Sequence, residues 1–292
     1  MIDFTNCIKN KLKAYGGKNG NKLAIKYNDE DYMLKFPSKN KNESSYTNGV
    51  FSEYISCKII KSMGFNVQEV LLGKYLVNNE YKLAVACKDF TDNNKVLKEF
   101  SFFKNKEFGT SGYSTDLNEV LNTIQNQDIY DKEELTKFFW DMFVIDAFLG
   151  NFDRHNGNWG FLIDNIREEV SIAPIYDCAS CLYPAITDEM MEEIVNNPDE
   201  MKKRVFVFPN SALKINDNKI NYYEIINSLE YKDLNDALLR IYPRVDIEKI
   251  NNIIDNVEGL DNNRKLFYKA ILFIRYEIIL TDAYNKLNNK KN

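Results

Sequence analysis

With 292 residues, 38 basic and 43 acidic side chains and a net charge of −5, the chain lacks the broad basic face of a nonspecific nucleic-acid binder, so no direct nucleic-acid contact is expected. Hydrophobic residues at 44% and aromatics at 13% suffice for a core and exclude wholesale disorder, while the length suits two lobes sharing a cleft. The most apolar stretches, 138–150 and 266–280, are broken by Asp141, Asp146, Lys269, Arg275 and Glu277, and no export signal precedes them, so no membrane span and a cytoplasmic location are expected.

In chain order, the first marked feature is Gly16-Gly17-Lys18-Asn19-Gly20. Six of the 12 glycines fall here and at Gly150, Gly157 and Gly160. Residues without a Cβ let backbone N–H groups approach a polyanion, so the first window reads as a phosphate-binding loop as well as a plain turn. Alternating residues over 22–37 predict a hairpin with Lys35 in its second strand. Apolar residues at helical spacing over 51–63 predict a helix carrying Glu53 and stopped by Gly64. Segments 67–73, 74–77 and 81–87 read as further strands, ending at Cys87-Lys88-Asp89.

Beyond Phe90 the pattern turns helical. Asp131 and Glu134 have capping-box spacing ahead of an apolar stripe at Leu135, Phe138, Phe139, Met142, Phe143 and Ala147. Segments 159–163 and 170–173 predict a second hairpin, and 233–242, 246–256 and 262–287 carry helix signals. The acidic run 188–193 reads as a solvated helix face. Cys178-Ala-Ser-Cys181 has C-x-x-C spacing without a second such pair, and the only histidine, His155, lies elsewhere, so reduced thiols are expected for all five cysteines.

The chemistry concentrates in Leu149-Gly150-Asn151-Phe152-Asp153-Arg154-His155-Asn156-Gly157-Asn158. Asp153 and Asn158 have the D-x-x-x-x-N spacing of a kinase catalytic loop, in which the Asp accepts a hydroxyl proton and the Asn binds Mg²⁺. A second carboxylate, Asp177, follows nineteen residues after Asn158. Two carboxylates about 4 Å apart repel by about 4 kcal/mol at an effective dielectric of 20, so a cleft that also holds a triphosphate needs a divalent cation. Asn158 and Asp177 supply the oxygen ligands that Mg²⁺ prefers. Lys35 is placed to meet ATP phosphates with Glu53 as its partner, and Cys87, Lys88 and Asp89 form a hinge whose backbone meets the adenine. His155 reads as a hydrogen-bonding residue at the edge of this ATP site.

Together Tyr32-Met33-Leu34-Lys35-Phe36-Pro37, the Asp153 loop and Ala173-Pro174-Ile175-Tyr176-Asp177 resemble the HipA-like family of bacterial serine/threonine kinases. The resemblance runs from about Gly16 to Ser211. It implies an α+β, two-lobed protein-kinase-like fold: an N-lobe of antiparallel sheet plus one helix over 1–89 and a mainly helical C-lobe over 90–292. It also implies ATP- and Mg²⁺-dependent transfer to Ser or Thr of a protein, including autophosphorylation, with Asp153 as base. An antitoxin or regulatory partner, as in toxin–antitoxin pairs, and export as an effector are further implications.

The short lead before the glycines resembles the stand-alone members rather than the fuller-length toxin. The toxin-type members carry an inhibitory serine in the glycine loop, whereas residues 16–22 contain no Ser or Thr. Self-regulation through that loop is therefore not expected, and Ser180, Thr187 and Ser211 are the candidate acceptors. The alternatives are a small-molecule or lipid kinase of the same fold, and a nucleotide-binding toxin or partner-binding module without catalysis.

Overall fold

The computed structural model describes residues 1–11, 13, 15, 22–37, 48–108, 112 and 114–289. Two short strands that the sequence pattern does not announce come first, β1 (Ile2–Asp3) and β2 (Ile8–Lys9). The expected hairpin is β3 (Lys22–Tyr27) and β4 (Glu30–Lys35), with Lys22 opposite Lys35. Its turn places Asn28 and Asp29 at φ of 49° and 62°, the left-handed pair that a two-residue hairpin requires. Helix α1 (Gly49–Ser62) follows, stopped by Gly64 at φ +83°.

Strands β5 (Val70–Val77) and β6 (Glu80–Lys88) complete the first sheet, in the order β1-β5-β6-β4-β3-β2. Two expectations are corrected here. No break separates 73 from 74, because β5 runs through Gly73. That residue lies under Phe4 and Ile2, and a Cβ there would sit 2.3 Å from the Phe4 ring and 2.5 Å from the Ile2 carbonyl oxygen. The sheet is also mixed, since β1 pairs parallel to β5 while the other pairs are antiparallel.

Strand alternation then sorts the side chains. Ala84 and Ala86 join a small cluster with Phe4, Ile25, Tyr32, Leu34 and Tyr75, whereas Val85 and Cys87 join the main core with α1. Lys35, next to Leu34, is thereby turned toward α1.

The chain past β6 makes one more strand before it becomes helical: β7 (Lys95–Glu99). Helices α2 (Phe100–Phe108), α3 (Leu117–Asn126) and α4 (Lys132–Leu149) follow. Strand β7 then pairs with the predicted hairpin, β8 (Gly160–Asp164) and β9 (Glu169–Ile172), to make a three-stranded sheet. Asp131 caps α4 by accepting the Glu134 N–H at 2.8 Å, and Gly150 ends it at φ +70°. Residues 139–149 of α4 are all buried, so the helix runs through the core.

Helices α5 (Asp188–Asn196) and α6 (Pro198–Phe206) precede a small hairpin, β10 (Lys214–Ile215) and β11 (Asn218–Lys219). Helices α7 (Tyr222–Ser228), α8 (Lys232–Ile241), α9 (Ile247–Asp255) and α10 (Asn262–Arg275) come next, and α10 continues through a π-helical turn (Tyr276–Thr281) into α11 (Asp282–Asn289). The acidic run starts α5, which buries only Met191 and Ile194 and leaves its carboxylates to solvent. One continuous core joins α1 to these helices. Among the described residues no helix is long and apolar enough to cross a membrane.

Candidate active site

Lys35 is the point where three distant segments meet. Its ammonium donates to Glu53 Oε2 at 2.8 Å and to Asp177 Oδ1 at 3.0 Å. The other oxygen of Glu53 accepts the backbone N–H of Cys178 at 3.1 Å, so α1 is tied to the loop after β9 as well as to β4. Burial opposes the charge on Lys35, but the two carboxylates outweigh it and hold its pKa well above the ordinary lysine value. The same lysine holds the Asp177 carboxyl below the usual range. Glu53 is fully buried, and burial raises its pKa against the pull of Lys35. Asp177 sits at φ +56°, a left-handed conformation that a non-glycine residue holds only when its surroundings fix it. The fixing is visible in the backbone bonds from Gln68 N–H to Ile175 O and from Ile175 N–H to Asn66 O, both 2.9 Å.

The loop bearing Asp153 is built on a buried ion pair that the sequence reading left without a role. Asp146, near the end of α4, receives Arg154 Nε at 2.9 Å and Asn151 Nδ2 at 2.9 Å. Arg154 Nη1 then donates to the carbonyls of Asn158, at 2.8 Å, and Tyr176, so one guanidinium holds the Asp153 loop beside the Asp177 segment. The sequence signal was the acidic residue inside an apolar helix, where a charge survives only with a partner. Asn151 Oδ1 accepts the Asp153 N–H at 3.1 Å, and Asn158 Nδ2 donates to the Asp153 carbonyl at 2.8 Å. The oxygen of the Asn158 amide is thus its remaining ligand atom.

Asp153 itself is half-buried, and burial raises its carboxyl pKa while His155 pulls it back. His155 Nδ1 accepts the Gly157 N–H at 3.0 Å, a structural hydrogen bond that shapes the loop. Asn158 and Asp177 together offer only amide and carboxylate oxygen, the donor set of a hard divalent cation.

At the end of β6, Cys87 is buried and paired with Val70 on one side and Met33 on the other. The Lys88 N–H donates to Glu69 O at 2.8 Å, the Lys88 carbonyl accepts Gln68 Nε2 at 2.9 Å, and the Asp89 N–H donates to Asp31 O at 2.8 Å. These bonds commit those backbone groups of the expected hinge to the sheet and its flank. The Asp89 side chain closes the strand end against Lys13 Nζ at 2.6 Å and Tyr15 Oη at 2.7 Å. The glycine window, Gly16, Gly17, Lys18, Asn19 and Gly20, lies outside the described residues. Of the candidate acceptors, Ser180 and Ser211 are buried at 7% and 1% exposure, which removes both from a folded-state reaction. Thr187 is exposed and caps α5 through Met190 N–H.

Residues 13–263 match the family model of the HipA-like C-terminal domain. The serine/threonine-protein kinase CtkA of Helicobacter pylori is 49% identical over 290 residues, which cover 98% of this chain and 88% of that protein. The crystal structure of that organism's proinflammatory kinase CtkA superposes with a TM-score of 0.94 at 48% identity, covering 100% of this chain and 99% of the other. HipA of Shewanella oneidensis MR-1, solved with HipB and operator DNA, shares the fold at a TM-score of 0.56 and 16% identity, over 95% of this chain and 69% of its own.

Proposed function

The chain belongs to the HipA-like C-terminal domain family and is a serine/threonine-protein kinase, and on that premise we propose that Asp153 is its catalytic base, with Lys35, Asn158 and Asp177 handling the nucleotide and its metal. Kinases use a nucleotide and a divalent metal, and here we assign ATP and Mg²⁺. The observation that carries the assignment is the convergence of Lys35, Glu53 and Asp177 at 2.8 and 3.0 Å, with Arg154 bonded to the carbonyls of both Asn158 and Tyr176. Lys35, kept charged by two carboxylates, presents its ammonium to the α- and β-phosphates, and Glu53 fixes its direction. Asp153, with its backbone held by Asn151 and Asn158, accepts the proton of the attacking hydroxyl. Asn158 and Asp177 would hold Mg²⁺ through oxygen atoms; the ion supplies charge neutralisation at the phosphates when bound. The glycine window and the Asp89 carbonyl would line the nucleotide's other sides, with His155 shaping the loop beneath.

The close likeness to a serine/threonine-protein kinase favours a protein acceptor over a small molecule or lipid and a catalyst over a silent binding module. Autophosphorylation would fall on Thr187, the exposed candidate of the three. An antitoxin-like partner is a further proposal, motivated by the HipA–HipB pairing of the structural neighbour and checked by co-purification from the native host.

The metal assignment is tested by following phosphate incorporation into a protein acceptor over a Mg²⁺ titration. Asp177→Ala should lose transfer, and Asn158→Ala should need more Mg²⁺ than the wild type. The same Mg²⁺ dependence in all three proteins would contradict the assignment.

A further inference from the structure

Behind the Lys35–Glu53 pair lies a group of thiols that phosphoryl transfer does not use. Glu53 and Cys57 are one turn apart on the same face of α1, and Cys178 directly follows Asp177. A carboxylate oxygen of Glu53 and the sulfurs of Cys57 and Cys178 all lie within 4.8 Å of one another, and all three residues are buried. Cys178 of the C-x-x-C turn thus meets Cys57 and Glu53 of α1. Cys181, at the other end of that turn, donates its N–H to the Cys178 carbonyl at 3.1 Å and is buried as well.

Ligands about 2.3 Å from a tetrahedral zinc-like ion stand about 3.8 Å apart, so the cluster must contract by up to about 1 Å to close on a cation. The charges come close to cancelling. Two thiolates and one carboxylate carry three negative charges, against a dication, the Lys35 ammonium 2.8 Å from Glu53, and the Arg154 guanidinium 3.6 Å from the Cys178 sulfur. Asp177 beside Lys35 and Asp146 beside Arg154 add two negative charges, which leaves the group one charge negative. This donor set is soft, unlike the oxygens of Asn158 and Asp177, so the two sites select different ions.

We propose that Cys57, Cys178 and Glu53 form an inhibitory site for a thiophilic divalent cation of the zinc class. Each thiol that binds releases its proton to solvent. Glu53 then serves the ion in place of Lys35, whose ammonium also faces a new positive centre, and the nucleotide loses its oriented lysine. The inhibition rests on the kinase reading above; the ion site does not.

The test uses the full chain with Cd²⁺ as a spectroscopic probe and Zn²⁺ for activity, with Mg-ATP in excess. The wild type should show the ultraviolet thiolate-to-Cd²⁺ charge-transfer band and lose phosphoryl transfer on Zn²⁺ addition. Cys57→Ala should keep its activity with Mg-ATP in the absence of Zn²⁺, lack the band and resist Zn²⁺, while Cys7→Ala, in another part of the chain, should behave as wild type. No band in the wild type overturns the site, whatever the activity. Equal Zn²⁺ inhibition of the wild type and Cys57→Ala overturns the link to Glu53 by assigning the effect to displaced Mg²⁺. Absence of transfer by the wild type with Mg-ATP and no Zn²⁺ or Cd²⁺ would count against the kinase reading, and the Cd²⁺ band alone would then decide the ion site.

Discussion

The Asp146–Arg154 pair illustrates how one buried contact serves two segments of the candidate site. Removing the acid leaves a guanidinium at 5% exposure without its countercharge, and breaking a buried pair in this way costs about 3–5 kcal/mol. Asp146→Ala should therefore lower the denaturant midpoint strongly and reduce transfer, because Arg154 also bridges Asn158 and Tyr176. Asp89 gives a pH-dependent case. Burial raises its pKa, but hydrogen bonds from Lys13, Thr91 and Tyr15 prevail and hold it below the usual carboxylate range. A depressed folded-state pKa contributes stability that is present above the unfolded value of about 3.9 and lost as pH falls through the folded one. The cost of Asp89→Asn in urea unfolding should accordingly be largest near neutrality and shrink below about pH 4; a constant cost would contradict this. Lys35, Glu53, Asp153, Asn158 and Asp177 could be singled out as candidates because their residue types and spacing carry chemistry, and the structure brings Lys35, Glu53 and Asp177 into contact. Asp146 and Asn151 were not, since their role exists only once α4 and the loop are folded against each other.

Strands and helices followed their local signals where these were strong. The capping residue Asp131 and the stop at Gly64 each appear where the sequence placed them. Strands β1 and β2, two residues each, are too short to show alternation, and β7 became visible only through pairing with β8. Gly73 was read as a strand end because glycine punctuates sequences. Its actual reason is the approach of Phe4 and Ile2. Gly73→Ala should displace β1 and cost about 1–3 kcal/mol, as overpacking does, measurable as a lower melting temperature. Unchanged stability would mean that the β1–β5 contact carries no weight.

At the scale of the whole molecule, the resemblance carried by the ordered motifs implied an α+β kinase-like fold, and the likeness to a kinase of known structure bears that out. What composition could not convey is that one core runs from α1 into the C-terminal helices, so the helix bearing Glu53 is anchored to both parts of the protein. Ligand binding should therefore register globally. Mg-ATP at 100 times its dissociation constant stabilises by about 2.7 kcal/mol, which should raise the melting temperature by several degrees. Asp153→Ala should keep that shift, because Asp153 is assigned to the hydroxyl and not to the nucleotide. The most direct test of the account is intact-protein mass after incubation with Mg-ATP and a protein acceptor, wild type beside Asp153→Ala. Added phosphoryl mass with the wild type alone, alongside an undiminished thermal shift in the variant, is the predicted result. Equal phosphorylation by the variant would contradict the assignment of Asp153 as the catalytic base.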